Sequence, residues 1–231
     1  MASGPKPKPF ECPEPIFWYL VGLVASDGCL SVDGRHVTIV AKDEGYLTRV
    51  RDAIGLTCSV GIHRGGQGRT AHHLQISRRV LYKRLLDVGL TPRKSLTIGP
   101  LKVSDSGFRD FLRGVIDGDG NIRRWHHPTN GREQWTARIY GCSRPFLCWI
   151  QKTVERLWGA KAMLHREVVA DGKRHDCYIL KFGKIAAKVV LSECYYSGAL
   201  ALERKRKLAE ECVAATVGWS KSKTVSDASR W

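Results

Sequence analysis

Apolar positions along this chain change period repeatedly, and the changes come in the same order twice. Residues 16–25 are almost wholly apolar or small, which predicts a buried helix over 15–26. Alternating segments at 29–32 and 36–41 meet at Asp33-Gly34 and read as a β-hairpin. Tyr46, Leu47, Val50 and Ile54 then mark one face of a helix over 42–54 that stops at Gly55. A second alternating pair, 58–64 and 70–77, brackets Gly65-Gly66-Gln67-Gly68, and 80–88 returns to helical period on Leu81, Leu85 and Leu86.

After a connector the order starts again. It gives a helix over 107–118, strands at 121–127 and 134–141, a helix over 145–158, strands at 162–169 and 176–182, and helices over 185–194 and 199–213. The expected fold class is α+β. Two pseudo-symmetric αββαββα halves each carry a four-stranded antiparallel sheet and pack through two central helices. The expected boundaries are an extended arm at 1–15, a first repeat at 16–95, a connector at 96–106, a second repeat at 107–214 and a polar tail at 215–231.

The two central helices carry related strings. Leu20 to Gly28 reads L-V-G-L-V-A-S-D-G, and Leu112 to Gly120 reads L-R-G-V-I-D-G-D-G. Gly22 and Ser26 share one helix face, as do Gly114 and Gly118, and small residues at that spacing let two backbones approach closely. Gly28 and Gly120 suit a left-handed helix stop. An Asp just before such a stop meets the negative end of the helix dipole, at a cost of about 0.3–1 kcal/mol. If the small faces pack together, Asp27 and Asp119 arrive side by side. Two adjacent carboxylates require a proton or a cation between them, and a hard divalent cation with oxygen ligands meets that need.

Charge narrows the partner. Lys and Arg number 38 against 22 Asp and Glu, a net charge of +16, which points to a polyanion and above all to nucleic acid. The longest apolar run is far short of the roughly 20 residues needed to span a bilayer, and the Pro- and Lys-rich start lacks the apolar core of a signal peptide. Eight cysteines without a C-x-x-C pair argue against zinc and read as scattered, mostly buried, reduced thiols of an intracellular protein. The glycine-rich loop at 65–68 lacks a following Gly-Lys-Ser/Thr, so it reads as a basic hairpin tip rather than a phosphate cradle.

At the two strings the chain resembles the LAGLIDADG homing endonucleases in their single-chain form with two motif copies. The resemblance runs from about Pro15 to Ala214. The second copy matches closely. In the first, Ala25 stands where the first acid would be and Ser26 where the following small residue would be. The resemblance implies two saddle-shaped sheets on DNA and a site-specific double-strand endonuclease, of the kind encoded within introns. In that family Asp27 and Asp119 would ligate the metals, aided by the backbone carbonyls of Ser26 and Gly118. The metal would be Mg2+ or Mn2+, with Ca2+ able to bind without supporting cleavage. Lys94 and Lys205 match a lysine thought to orient water or stabilise charge, and Lys42 matches another basic position. The counterpart of Lys42 is Cys142, so the two half-sites are expected to differ. Asp117, whose counterpart is Ala25, reads as a structural acceptor.

Base reading is expected from strand side chains in the major groove. Alternation nominates Ser31, Arg35, Thr38, His63, Arg64, Arg69, His73 and Gln75 in the first half. It nominates Arg124, Arg132, Gln134, Arg138, His165, Arg166, Arg174 and Tyr178 in the second, where a one-residue slip would exchange faces. His126 and His127 read as DNA contacts rather than metal ligands. The expected partner is double-stranded DNA with a long, asymmetric target, bound by a monomer away from membranes, in a bacterial or archaeal cytoplasm or an organelle. Two rivals use the same scaffold: an RNA maturase acting on intron RNA, and a non-catalytic DNA-binding regulator.

Overall fold

The computed structural model describes residues 12–64, 70–167 and 176–215, and the statements below concern these residues. The first repeat builds α1 (Glu14–Ala25), β1 (Gly28–Leu30), β2 (Val37–Ala41), α2 (Glu44–Ala53), β3 (Gly61–Arg64), β4 (Thr70–Ile76) and α3 (Arg79–Val88). A 3-10 turn at Lys94–Leu96 leads into the second repeat. That repeat builds α4 (Phe108–Asp119), β5 (Gly120–His126), β6 (Glu133–Gly141), α5 (Arg144–Trp158), β7 (Ala162–Glu167), β8 (Cys177–Phe182), α6 (Lys184–Cys194) and α7 (Glu203–Ala214).

The sheets run in the orders β1-β2-β4-β3 and β5-β6-β8-β7, with every pair antiparallel. The repeat in the sequence is therefore a repeat in topology. On one face of each sheet the alternate residues are buried under the helices: Val37, Ile39, Leu74 and Ile76 in the first, Trp135, Ala137, Ile139, Leu180 and Phe182 in the second. The opposite faces carry no helix and stay open, as half-polar antiparallel sheets can.

Helices α1 and α4 cross at their glycines. A Cβ placed on Gly22 would sit on the Phe111 carbonyl oxygen and 2.9 Å from the Gly114 Cα. One on Gly114 would sit on the Tyr19 carbonyl oxygen and 2.8 Å from the Leu23 nitrogen. A turn further on, a Cβ on Gly118 would lie 2.7 Å from the Ser26 Cβ. The backbones touch because these positions lack side chains. Around them Tyr19, Leu20, Val21, Val24, Phe111, Leu112, Val115 and Ile116 are buried, which is why α1 is apolar on all sides.

Two expectations need correction. Gly28 and Gly120 are not left-handed stops; α4 runs through Asp119, and Gly120 is extended with φ −87° and ψ 156°. They are glycines because each strand doubles back on its helix: a Cβ on Gly28 would lie 2.6 Å from the Val24 Cα, and one on Gly120 2.7 Å from the Ile116 Cα. The cysteines are also less buried than expected, with Cys194 and Cys212 buried, Cys29 and Cys142 exposed, and the other four between. The loop at 65–68 and the turn at Asp171-Gly172 lie outside the described residues.

Replacing Gly22 or Gly114 with Leu should force the helices apart and lower stability by roughly 1–3 kcal/mol through overpacking. Thermal or urea unfolding checks this, and unchanged midpoints in both variants would refute the crossing.

Candidate functional site

The two motif helices bring their C-terminal carboxylates close enough to act on each other, and the first opens on a cavity lined by the end of β2. Asp27 follows α1 and Asp119 ends α4. The Asp27 Oδ2 lies 3.3 Å from where a Cβ on Gly118 would stand, so the first carboxylate rests against the last turn of the second helix. Both aspartates keep contact with solvent. Partial burial, then the Asp27 charge, pushes the Asp119 pKa up to about 6, against the opposing pull of Lys205 and Lys94. Partial burial also raises Asp27, opposed by Lys205, Lys94 and Arg204.

The two lysines nominated beside this pair are buried, and their ammonium groups are spoken for. Lys205 Nζ donates to the carbonyl oxygens of Ile116 at 2.6 Å, Asp117 at 2.7 Å and Gly118 at 3.1 Å. Lys94 Nζ donates to the Gly28 carbonyl at 2.5 Å. Helix ends leave carbonyls without intrahelical partners, and a cation there is doubly favoured by hydrogen bonding and by the dipole. Desolvation lowers both lysine pKa values, that of Lys205 to about 8, while the aspartates oppose the shift. Lys205 thus fixes the end of α4 that carries Asp119, while Lys94 holds the first residue of β1, directly after Asp27, a role the chain order alone did not reveal.

Asp117 is a structural acceptor. Buried, it accepts hydrogen bonds from Tyr19 Oη at 2.6 Å, Tyr195 Oη at 2.7 Å and the Leu202 backbone nitrogen at 2.8 Å. Tyr19 in turn bonds Tyr46 Oη at 2.7 Å. One carboxylate therefore ties α4 to α1, to the end of α6 and to the start of α7. Lower on α4, Arg113 is fully buried, pairs with Asp110 at 2.7 Å and donates to the carbonyls of Cys194 and Leu200.

A cavity of about 480 Å³ opens beside Asp27, with Lys42, Tyr46, Asp117, Gly118 and Arg204 among its lining. Arg204 belongs to the second repeat but acts on the carboxylate of the first. Sequence reading passed over it for its neighbour Lys205, although Arg93-Lys94 and Arg204-Lys205 align equally well as pairs. Cys142, the counterpart of Lys42, is exposed at the end of β6.

Register decides which strand residues share the open faces, because directly paired residues in antiparallel strands point the same way. In the first sheet Thr38 pairs Gln75, and Val40 pairs His73, so these nominees sit opposite the buried set. The His73 ring lies over Gly61, where a Cβ would come 2.8 Å from its Nε2. Ser31 is a correction: its Oγ donates to Asp33 Oδ1 at 2.5 Å and accepts the His36 backbone nitrogen, so it shapes the hairpin turn. Arg35 is exposed at that turn. His63 and Arg64 end β3, and Arg69 lies outside the described residues, as does Arg174.

In the second sheet the slip occurred. Arg124 pairs the core residue Trp135, on the helix side, and forms ion pairs with Glu133 at 2.5 Å and Glu211 at 3.5 Å. Arg123 is the residue on the open face, with Asn121 and Trp125. Ile122 was the signal, since an inward Ile122 turns 123 outward. The large Trp125 masked it by lying on the open face with Arg123 5.7 Å from its ring centre. Arg166 and Tyr178 are paired to each other on the helix side, where Arg166 binds Asp176. There they line a separate cavity of about 370 Å³ with Arg144 and Cys148. Gln134, Arg138 and His165 do face the open side, joined by the unforeseen Lys181, while Thr136 on the same face is buried. Arg132 is exposed in the turn before β6. Arg138 Nε and Thr136 Oγ1 have no hydrogen-bond partner among the described residues.

Among the described residues no group of three or more His, Cys, Asp or Glu side chains gathers to hold a metal, and no helix is long and apolar enough to cross a membrane. The donors at the helix ends are two carboxylates and nearby carbonyls, an all-oxygen set suited to a hard cation whose remaining positions come from water or a ligand.

No protein-family model matches the sequence, and a search of curated proteins found no match. Solved structures do match in fold. The homing endonuclease I-WcaI, bound to its DNA recognition sequence, is 9% identical with a TM-score of 0.60, covering 90% of this chain and 95% of that one. I-DmoI in complex with DNA and Mn is 17% identical with a TM-score of 0.53, covering 79% and 98%. Full-length DUF199/WhiA from Thermatoga maritima is 13% identical with a TM-score of 0.55; 88% of this chain is covered, which spans 62% of that one. The fold is thus that of two-repeat LAGLIDADG proteins, found in homing endonucleases and in the N-terminal LAGLIDADG domain of WhiA.

The raised Asp119 pKa has a consequence for the metal-free protein. A carboxyl that binds its proton more tightly folded than unfolded is penalised as pH rises from 3.8 through about 6. Asp119→Asn should therefore stabilise the protein in EDTA near neutral pH by about 1 kcal/mol, the full shift being discounted for solvent exposure. The gain should vanish near pH 3, below the unfolded value of 3.8, where the carboxyl is protonated in the folded and the unfolded chain alike. Urea midpoints at the two pH values check it; an equal gain at both would refute the repulsion.

Proposed function

We propose that this two-repeat LAGLIDADG chain is a site-specific double-strand DNA endonuclease that hydrolyses phosphodiesters with divalent metal ions. The observation that carries the reading is the convergence of Asp27 and Asp119 at the ends of two glycine-packed helices, beside one sheet face that bears Thr38, His73 and Gln75 and another that bears Arg123, Arg138 and Lys181. The +16 charge of the chain supports a polyanion on those faces.

In this reading Asp27 and Asp119, with the Ser26 and Gly118 carbonyls, would hold Mg2+ or Mn2+, and Ca2+ would bind without supporting cleavage. The bound cation supplies an activated water and charge stabilisation at phosphorus. Everything else falls to the chain. Asp27 and Asp119 hold their charge where the phosphate backbone enters. Lys205 locks the carbonyls at the end of α4 and Lys94 that of Gly28 after Asp27, so the two carboxylates do not splay. Lys42 and Arg204 present positive charge to a phosphate in the cavity beside Asp27. Thr38, His73 and Gln75 in one sheet, and Arg123, Gln134, Arg138 and Lys181 in the other, face the grooves; Arg and Gln there suit guanine and adenine edges. Such a protein would recognise a long, asymmetric site as a monomer, and an intron would be its natural carrier.

A non-cleaving DNA-binding protein is the second reading. It is favoured by one observation: both nominated lysines are tied to backbone carbonyls rather than aimed at a ligand. A maturase acting on intron RNA would use the same basic faces. A magnesium-dependent cleavage assay on the intron-less insertion site separates the nuclease from both.

Asp27→Asn and Asp119→Asn should each abolish cleavage while leaving specific DNA binding largely intact. Gel-shift and cleavage assays run side by side check this, and wild-type cutting by either variant, or cutting that persists in EDTA, would refute it.

Lys42→Ala should slow one strand more than the other, because its counterpart is Cys142, and should leave a nicked intermediate. Removing one positioned charge from such a site costs on the order of 10²–10³ in rate, by analogy with oxyanion-hole donors. The check is single-turnover cleavage of a duplex labelled differently on each strand. Equal slowing of both would mean that the two half-sites share one pocket.

A further inference from the structure

The open faces of the two sheets end differently at the cleft. In the first, the β2–β4 ladder ends with Ala41 opposite His72, so the next position, Lys42, stands opposite Ala71. In the second, the β6–β8 ladder ends with Gly141 opposite Tyr178. Continued by one residue, the same register sets Cys142 opposite Cys177. Tyr178, Leu180 and Phe182 face the helices, so Cys177 shares the open face with Ile179 and Lys181. Cys142 shares the face of Tyr140 by the same alternation.

Both thiols are free, Cys142 exposed and Cys177 half-buried. Directly opposed residues on antiparallel strands hold their Cα atoms about 4.5–5.5 Å apart. A disulfide spans Cα separations of about 4.4–6.8 Å. Independently of register, Cys142 and Asp119 are both near enough to act electrostatically on the Cys177 thiol. The pair therefore lies within electrostatic range of the second carboxylate, where the first half carries a lysine.

We propose that Cys142 and Cys177 form a redox-modifiable dithiol that closes to a cross-strand disulfide next to Asp119. The oxidant is a low-molecular-weight disulfide. The exposed Cys142 thiolate attacks one of its sulfurs, forming a mixed disulfide and releasing one thiolate. Cys177 gives up its proton and attacks the Cys142 sulfur, expelling the second. Two protein thiols are oxidised, the reagent is reduced to two thiols, and both protons end on those thiols. The new bond ties the end of β6 to the start of β8 and fixes the wall beside Asp119. On the nuclease reading, that bond should slow one strand's cleavage selectively.

The test treats the full chain with graded ratios of oxidised to reduced glutathione, blocks the remaining thiols and maps linkages by peptide mass spectrometry. The expected result is a peptide joining Cys142 to Cys177, lighter by two hydrogens, lost on adding dithiothreitol. Separate glutathione adducts on the two cysteines, both thiols remaining free, or preferential pairing with Cys29 would overturn the dithiol. The second readout is the oxidised-to-reduced ratio of cleavage rates for each strand, in the wild type and in Cys142→Ser. A ratio that falls for one strand in the wild type alone supports control of cleavage. A ratio of one for both strands, with the linkage formed, overturns that control. If the reduced protein cuts nothing, the nuclease reading fails while the mapped linkage still decides the dithiol.

Discussion

The structure depends on two helices touching backbone to backbone. Gly22 and Gly114 each occupy space that a methyl group would take from the partner's main chain, and Ser26 against Gly118 continues the contact by one turn. That approach brings two helix C-termini, two carboxylates and a set of partnerless carbonyls into one small region. The electrostatics there are unfavourable taken alone: negative dipole ends, then two negative side chains. The buried ammonium group of Lys205 answers the α4 carbonyls and that of Lys94 the Gly28 carbonyl, while burial and then the Asp27 charge keep the Asp119 pKa raised.

The repeats are alike in topology and unlike in chemistry. The second half carries a buried polar system that the first lacks: Asp117 receives three hydrogen bonds, and the Arg113–Asp110 pair ties α4 to the segments around α6. The counterpart of Asp117 is Ala25, on an all-apolar helix. A buried charge is tolerable only when its hydrogen bonds are complete, so this network specifies where α6 and α7 dock. On the cleft side the halves differ again, with Lys42 and Arg204 at one carboxylate and two thiols at the other.

Periodicity alone was enough to place every described α-helix and strand to within a few residues, because one buried face per element imposes a 3.6- or two-residue repeat. The doubled strings at Leu20–Gly28 and Leu112–Gly120 located the crossing glycines and the paired aspartates. These properties are local in the chain, since small residues four apart must share a helix face wherever the helix packs.

Other features belong to tertiary structure. Lys94 and Lys205 looked like pocket charges, and only the docking of distant segments made Lys205 a buried cap of α4 and Lys94 a buried donor to Gly28. Gly28 and Gly120 looked like left-handed stops, and only the return of each strand along its own helix showed that clearance was the reason. Arg124 and Arg123 exchanged faces because Trp125 sits outward, and register depends on partner strands. Arg204 reached the carboxylate of the other repeat across a contact between residues far apart in sequence. The chain thus fixed its elements and its central pair through local periodicity and residue size, while the surroundings of that pair were decided by long-range packing, which no local pattern encodes.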